Sequence, residues 1–418
     1  MQISQPTTLG LKKSFGFGDR LGMATPGHVV AARSFGFAPI FAQQSIREMQ
    51  RTQRSAKEVM QAAFNGLTQM QYDGVWGADA DHLKTPEDVH QTTAAGFCFF
   101  TIDPSEHVNN QADLMTLLAL GEEVRRMEQE GVLQDTSWRA FYLSQAFNVD
   151  DNLKLRFTEA DLFRAAVKYA RAIAHSAEMA EVIATANTGR SYELEVSVDE
   201  TETPTTSLEH LFFAMELKRR GVKVVSLAPR FIGDFEKGID YQGDLRIFEK
   251  QLKEHVAVAR YCGPYKISVH SGSDKFAVYP ILGRVCGDLL HVKTAGTSYL
   301  EALRVLVRTA PEVFGEIAVY CRGAFEADRK TYHISTTADE IASLAPFCGH
   351  EDEATYLDER AGRQLMHVTF GSVLTKGRDS RGRSFKDILL ETLEGNADLY
   401  QQLLELHFNR HLSLLEQG

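Results

Sequence analysis

The stretch from Gly74 to Asp88, GVWGADADHLKTPED, places Asp79, Asp81 and His82 within four positions at the end of an apolar, strand-like run. Two carboxylates beside an imidazole suit general acid–base work, ligation of a divalent cation, or both. A second acidic set lies in YELEVSVDE, from Tyr192 to Glu200, where strand alternation puts Glu193, Glu195, Ser197 and Asp199 on one face and Leu194, Val196 and Val198 on the other. A parallel strand covered by helices has no solvated face. The acidic face must then meet a metal, a basic group or a substrate, because isolated buried carboxylates are costly. YKISVHSGSDK ends a third strand in His270, and RFIGDFEKGID offers Glu236 shortly beyond another. With Asp79, Asp81 and His82, these supply two imidazoles and a carboxylate for one divalent cation, with coordination positions left for water or substrate.

His291, His333 and His367 are further candidates, as ligands or as partners of substrate hydroxyls. Arg230, Lys275 and Lys293 sit near strand ends and suit an anionic substrate group, since guanidinium and ammonium pair with carboxylate or phosphate.

The elements that must bring these residues together repeat. Short β-rich runs alternate with helical periodicity before about residue 310: KSFGFGD, APIFAQQ, GVWGADADH, GFCFFTID, YELEVSVDE, VKVVSLAPRF, YKISVHSG and LLHVKTAG. Helix starts are marked by Thr25 and Pro26, by Thr85, Pro86 and Asp88, and by Thr206 with Glu209, as N-caps, early prolines or capping boxes. Over residues 244–260, Leu245, Phe248, Leu252, Val256 and Ala259 share one helical face. Eight strand–helix pairs, with polar residues gathered at the C-terminal ends of strands, predict an α/β fold, a TIM-type (β/α)8 barrel over residues 1–310 that carries the active site. A mainly helical appendage is expected over residues 311–418, with a strand-like RQLMHVTFGSVL and one long amphipathic helix from about Ser384 onward.

Composition bounds the function. The 418 residues carry a net charge of −11 without long runs of either sign, which gives no footprint for nucleic acid or an anionic membrane. Five cysteines, far apart and without CxxC spacing, speak against a disulfide framework or zinc knuckle and fit a reducing cytoplasm. No run approaches membrane-spanning length. GFGDRLG, from Gly16 to Gly22, is spaced like a dinucleotide fingerprint, but its helix signal follows the glycines and the next strand ends without an acid, so no nicotinamide site is expected.

Ten collinear segments, among them SFGFGDRLG, GADADHLKTPED, FTIDPSEHV, EVSVDETETPT, RFIGDFEKGIDYQGDL, YKISVHSGSDKF and HVKTAGTSYLEA, together resemble the tagaturonate epimerase family over nearly the whole chain. The resemblance implies a metal-dependent sugar-acid 4-epimerase that interconverts tagaturonate and fructuronate on a TIM-type barrel. It implies Asp81 as proton acceptor, Glu195 as proton donor, and His82, Glu236 and His270 as ligands of one divalent cation, with zinc, manganese, iron, cobalt and nickel all compatible with such donors. The expected partner is a small sugar acid, with neither nucleic acid nor membrane, and a homo-oligomer is compatible. Family members carry a longer leading segment than this chain. A metal-dependent aldolase or ketose isomerase is the alternative the same residues would serve.

Overall fold

The structure, a computed structural model, describes residues 3–133 and 137–418. Among the described residues there are ten strands: β1 Ser14–Gly18, β2 Ala38–Ser45, β3 Gly77–Leu83, β4 Phe99–Ile102, β5 Phe147–Asp150, β6 Leu153–Leu155, β7 Glu193–Ser197, β8 Ser226–Ala228, β9 Lys266–Val269 and β10 Leu290–Thr294. Eight of them, all parallel, close a barrel in the order β1-β2-β3-β4-β7-β8-β9-β10, and β10 pairs back onto β1 through Ser14–His291 and Gly16–Lys293. Every expected barrel strand is there. The run from Val222 to Phe231 yields only the three-residue β8.

One connection is much longer than a βα unit. Between β4 and β7 lie two short 3-10 turns, helices Leu117–Gln129 and Ser137–Leu143, the antiparallel β5–β6 hairpin and the 28-residue helix Glu159–Ala186. That last helix alone packs back on the barrel as the crossover helix; the rest is an insertion that simple counting of strand–helix pairs passes over.

Thr85 and Thr206 close capping boxes with Asp88 and Glu209, as their spacing predicts. Thr25 does not cap: the first helix is Thr25–Arg33, its N-cap is Ala24, and only the early Pro26 matches the expectation. In helix Leu245–Cys262, Phe248, Leu252, Val256 and Ala259 are buried, whereas Leu245 at the first turn is 39% exposed.

Beyond the eighth barrel helix, Thr297–Thr309, the chain is helical. RQLMHVTFGSVL forms no strand; it spans helices Arg360–Val368 and Phe370–Thr375. Residues 362–368 are all buried, with Arg363, Gln364 and His367 among them, and a segment buried on every side shows no alternation by which to tell strand from helix. The expected terminal helix is two helices, Phe385–Gly395 and Ala397–Glu416, broken at Asn396. The second lies against the first and tenth-strand sides of the barrel, where Phe408 meets Phe17 edge-on at 5.1 Å and Tyr400 donates to the carbonyl of Ser298. One hydrophobic cluster runs through barrel and C-terminal helices alike.

A buried ion pair ties the two parts. Arg363 Nη2 meets Asp274 Oδ2 at 2.6 Å, and Arg363 Nε donates to Gly238 O at 2.7 Å. Burial opposes ionisation of Asp274, but Arg363 outweighs it and holds the carboxylate well below its usual range. Arg363→Met is expected to lower unfolding free energy by about 3 kcal/mol at neutral pH, because it strands a buried carboxylate. Wild-type Asp274 has a depressed folded pKa, so its contribution is present above the unfolded value near ~4 and is lost as pH falls below it. The gap between wild type and variant in chemical denaturation must narrow toward acid. No helix among the described residues is long and apolar enough to cross a membrane.

Candidate active site

A cavity of about 630 Å³ opens at the C-terminal end of the barrel. Asp81, His82 and Lys293 line it from the strands, Asp199 and His270 from the turns just beyond β7 and β9, and Lys330, Thr331, Tyr332 and His333 roof it from the C-terminal region. That roof is pinned by Arg51, which donates to Tyr332 Oη and Thr331 Oγ1 and lies 4.5 Å from the Tyr332 ring centre.

A regular strand would send Asp81 and His82 to opposite faces. Both face the mouth because His82 adopts a left-handed backbone, φ +56°, and the β3–β4 register slips between Ala80 and Leu83. Such a conformation at a non-glycine residue costs free energy and is kept where the geometry is needed. His82 Nδ1 meets Asp103 Oδ2 at 3.2 Å, which leaves Nε2 turned to Asp81 Oδ1 at 3.8 Å. His270 is held the same way, with Nδ1 3.5 Å from Asp199 Oδ1 and Nε2 2.7 Å from Glu195 Oε1.

Below these rings Lys293 Nζ sits among carboxylates: Asp79 Oδ2 at 2.8 Å, Asp81 Oδ1 at 2.8 Å and Glu195 Oε1 at 2.9 Å, with Thr101 Oγ1 at 2.5 Å. Burial would neutralise this ammonium, but three carboxylates outweigh it and push its pKa up. Burial wins at Asp79, raising it to about 7. Asp81 goes the other way, to about 2, because His82 and Lys293 overcome its desolvation; Glu195 is likewise held well below its ordinary value by Lys293 and His270. Desolvation opposes charge on both imidazoles, yet Asp81 raises His82 to about 9 and Asp199 raises His270 to about 10.

These donors fit a divalent cation. One oxygen of Asp81 and one nitrogen each of His82 and His270 lie within 4.8 Å of one another. Each imidazole has its Nδ1 on a carboxylate, the arrangement that orients metal-binding histidines. The charge also matches: two imidazolium protons carry the same +2 as the ion that would replace them.

The other expected site residues are placed differently. Glu236 is outside that cluster, its Oε2 accepting from Ser335 N and Oγ at 2.8 and 2.9 Å and from Gln364 Nε2 at 2.8 Å. Lys275, expected to meet substrate, is buried with its three N–H bonds spent on the carbonyls of Glu236, Ile239 and Ser273 at 2.9, 2.5 and 2.9 Å. It is a clamp on the loop after β8 and has no donor left for a ligand. Lys293 lines the cavity but answers the carboxylates, and Arg230 lines it with Asp234 3.7 Å away. His291 is sealed in the barrel against Ser14 at 2.9 Å, and burial lowers it to about 3. His367 is buried beside Arg20, and His333 lies exposed on the rim, 3.0 Å from Asp234.

Sequence reasoning passed over Asp103, although FTID ends a strand in it, and Arg47 and Lys237, which line the cavity from the helix Ile46–Thr52 and from the loop after β8 without any spacing signal.

Three comparisons bear on this geometry. The family model described as tagaturonate epimerase matches residues 1–415. The tagaturonate/fructuronate epimerase of Thermotoga maritima is 45% identical over 412 residues, covering 99% of this chain and 82% of its own length. Crystal structures of the fructuronate-tagaturonate epimerase of Cohnella laeviribosi superpose with TM-scores of 0.91, with one glycerol bound, and 0.90 in the native form, at 39% and 38% identity, over 98% of this chain and 83% of theirs.

Proposed function

Since the chain belongs to the tagaturonate epimerase family, we propose that its barrel mouth interconverts D-tagaturonate and D-fructuronate with the help of a divalent cation held by His82 and His270, with Asp81 or Glu236 as the carboxylate donor. The observation that carries this reading is the pairing of Asp81 and Glu195, from different strands, on either side of Lys293 and directly below two oriented imidazoles.

The two sugar acids differ at C4, counting the ketone as C2. C4 is β to the ketone, so its hydrogen is not acidified by enolisation. Inversion then needs either oxidation and reduction of the alcohol or opening of the C3–C4 bond. The second suits these residues. Asp81, ionised at neutral pH, takes the C4 hydroxyl proton; the C3–C4 pair passes to the C2 carbonyl, leaving a three-carbon enediolate and a three-carbon aldehyde acid. The aldehyde turns, the bond re-forms on its other face, and Glu195 supplies the proton to the new C4 alkoxide. Glu195 is itself ionised at rest, so it must be loaded first, and Lys293 Nζ, in contact with both carboxylates, joins the group that gains the proton to the group that gives it. A bound divalent cation supplies Lewis-acid polarisation of the ketone oxygen.

The test is an NMR assay of purified protein with tagaturonate, alongside elemental analysis. Fructuronate must appear, one divalent ion per chain must be found, and a carbonyl trap must capture the three-carbon fragments. Transfer of the C4 hydrogen to a nicotinamide would remove the bond-opening route. Ion uptake by the stripped protein must also expel protons, because His82 and His270 are protonated up to about pH 9 and 10; affinity therefore rises with pH across the neutral range. Calorimetry in buffers of different ionisation enthalpy counts them, and uptake without proton release would place the ion elsewhere.

A further inference from the structure

A sugar-acid site needs a cation for the carboxylate, and most cations of the mouth are already answered. Lys293 is held by three carboxylates, Arg20 by Glu48 at 2.7 Å and Arg47 by Glu200 at 2.9 Å. Arg230 faces Asp234, and Lys330 is exposed on the roof, where water solvates it.

Lys237 differs from all of these. Its Nζ lies partly buried in the cavity and donates to a neutral partner, Ser271 Oγ, at 2.6 Å; among the described residues no carboxylate pairs with it. A desolvated ammonium with no counter-ion is unfavourable, so the fold must hold it in place. It does so through its loop. Lys275 Nζ grips the carbonyls on either side, of Glu236 and Ile239, and Gln364 Nε2 donates to the carbonyl of Lys237 itself at 3.2 Å. Ser271 is constrained too: it follows His270 directly and has φ +50°, a left-handed backbone strained for serine. Its oxygen accepts from Lys237, which leaves its O–H free to donate into the cavity.

We propose that Lys237 and Ser271 together bind the carboxylate of the sugar-acid substrate, and that Lys275 is the positioning residue that keeps Lys237 aimed at it. An ammonium N–H and a hydroxyl O–H side by side, next to His270, would meet the two oxygens of one carboxylate while the rest of the sugar reaches the acid–base pair. This rests on the substrate class proposed above and adds the group that selects an acid over a neutral ketose.

The test compares tagaturonate with D-tagatose, which has a hydroxymethyl group in place of the carboxylate, on the full-length protein. Lys237→Met is expected to weaken tagaturonate binding in calorimetry about 100-fold, as loss of one partner of a desolvated charge pair does, and to leave D-tagatose within 2-fold. Lys237→Arg restores much of the loss, and Ser271→Ala weakens tagaturonate about 10-fold with D-tagatose unchanged. A purely structural role would move both ligands alike, and that result, or unchanged tagaturonate affinity, overturns the assignment. Wild type that binds tagaturonate without epimerising it would defeat the catalytic reading while the ligand comparison still judges Lys237.

Discussion

Asp81→Asn lowers kcat for tagaturonate about 1,000-fold and leaves KM within a few-fold, since a positioned base contributes ~10²–10⁴ in rate and about 4 kcal/mol of barrier corresponds to three decades. The variant is a clean probe because asparagine keeps the shape and can still accept from Lys293 Nζ, 2.8 Å away, while its amide cannot take the C4 hydroxyl proton. The loss must be equal in both directions: a catalyst cannot move the equilibrium, so kcat/KM for fructuronate falls by the same factor. Metal analysis of the same sample separates the two roles the geometry offers. If the ion stays and turnover drops, Asp81 works on the proton; if the ion is lost with turnover, Asp81 is a ligand and the base lies elsewhere. Unchanged turnover ends its part in the reaction.

The second large effect falls on stability. Lys293→Met removes the one ammonium shared by Asp79, Asp81 and Glu195, all buried. Breaking a buried pair from one side costs about 3–5 kcal/mol, because the partner charges are left without compensation. Three partners place this variant at the upper end. The pH dependence has a definite sign. Without Lys293 the folded-state pKa values of these carboxylates shift up, and Asp79, already raised to about 7 by burial, stays above its unfolded value, so folded protein holds a proton that unfolded chain releases and stability falls as pH rises between the two. Lys293→Met is therefore rescued by acidification from pH 8 toward 5, and Arg363→Met, which likewise strands a buried carboxylate, also closes its deficit toward acid. Urea unfolding midpoints across that range check it, and a pH-independent deficit would mean that Lys293 is not what offsets the charge of these carboxylates.

Much of the barrel is written locally. Strand alternation in YELEVSVDE places Glu195 inward whatever surrounds it, and Thr85 and Thr206 cap their helices through residues three positions away. Strand ends gather at the barrel mouth, so Asp81, His82, Glu195 and His270 could be named from their places in the chain, although period alone would turn His82 away from the face of Asp81. Where periodicity is missing, as over residues 362–368, local reading errs, and tertiary burial chooses helix.

Sequence by itself thus determined the eight-stranded barrel, the acidic and imidazole groups at its mouth and the family likeness. Tertiary structure alone decided how those groups are spent: Glu236 on Ser335 and Gln364, Lys275 on three carbonyls, Lys293 on three carboxylates, Lys237 left facing the cavity. The reason is that a charged side chain answers whichever opposite charge or dipole lies within a few ångströms, and here those partners arrive from strands and helices up to some two hundred residues away, which no local pattern records.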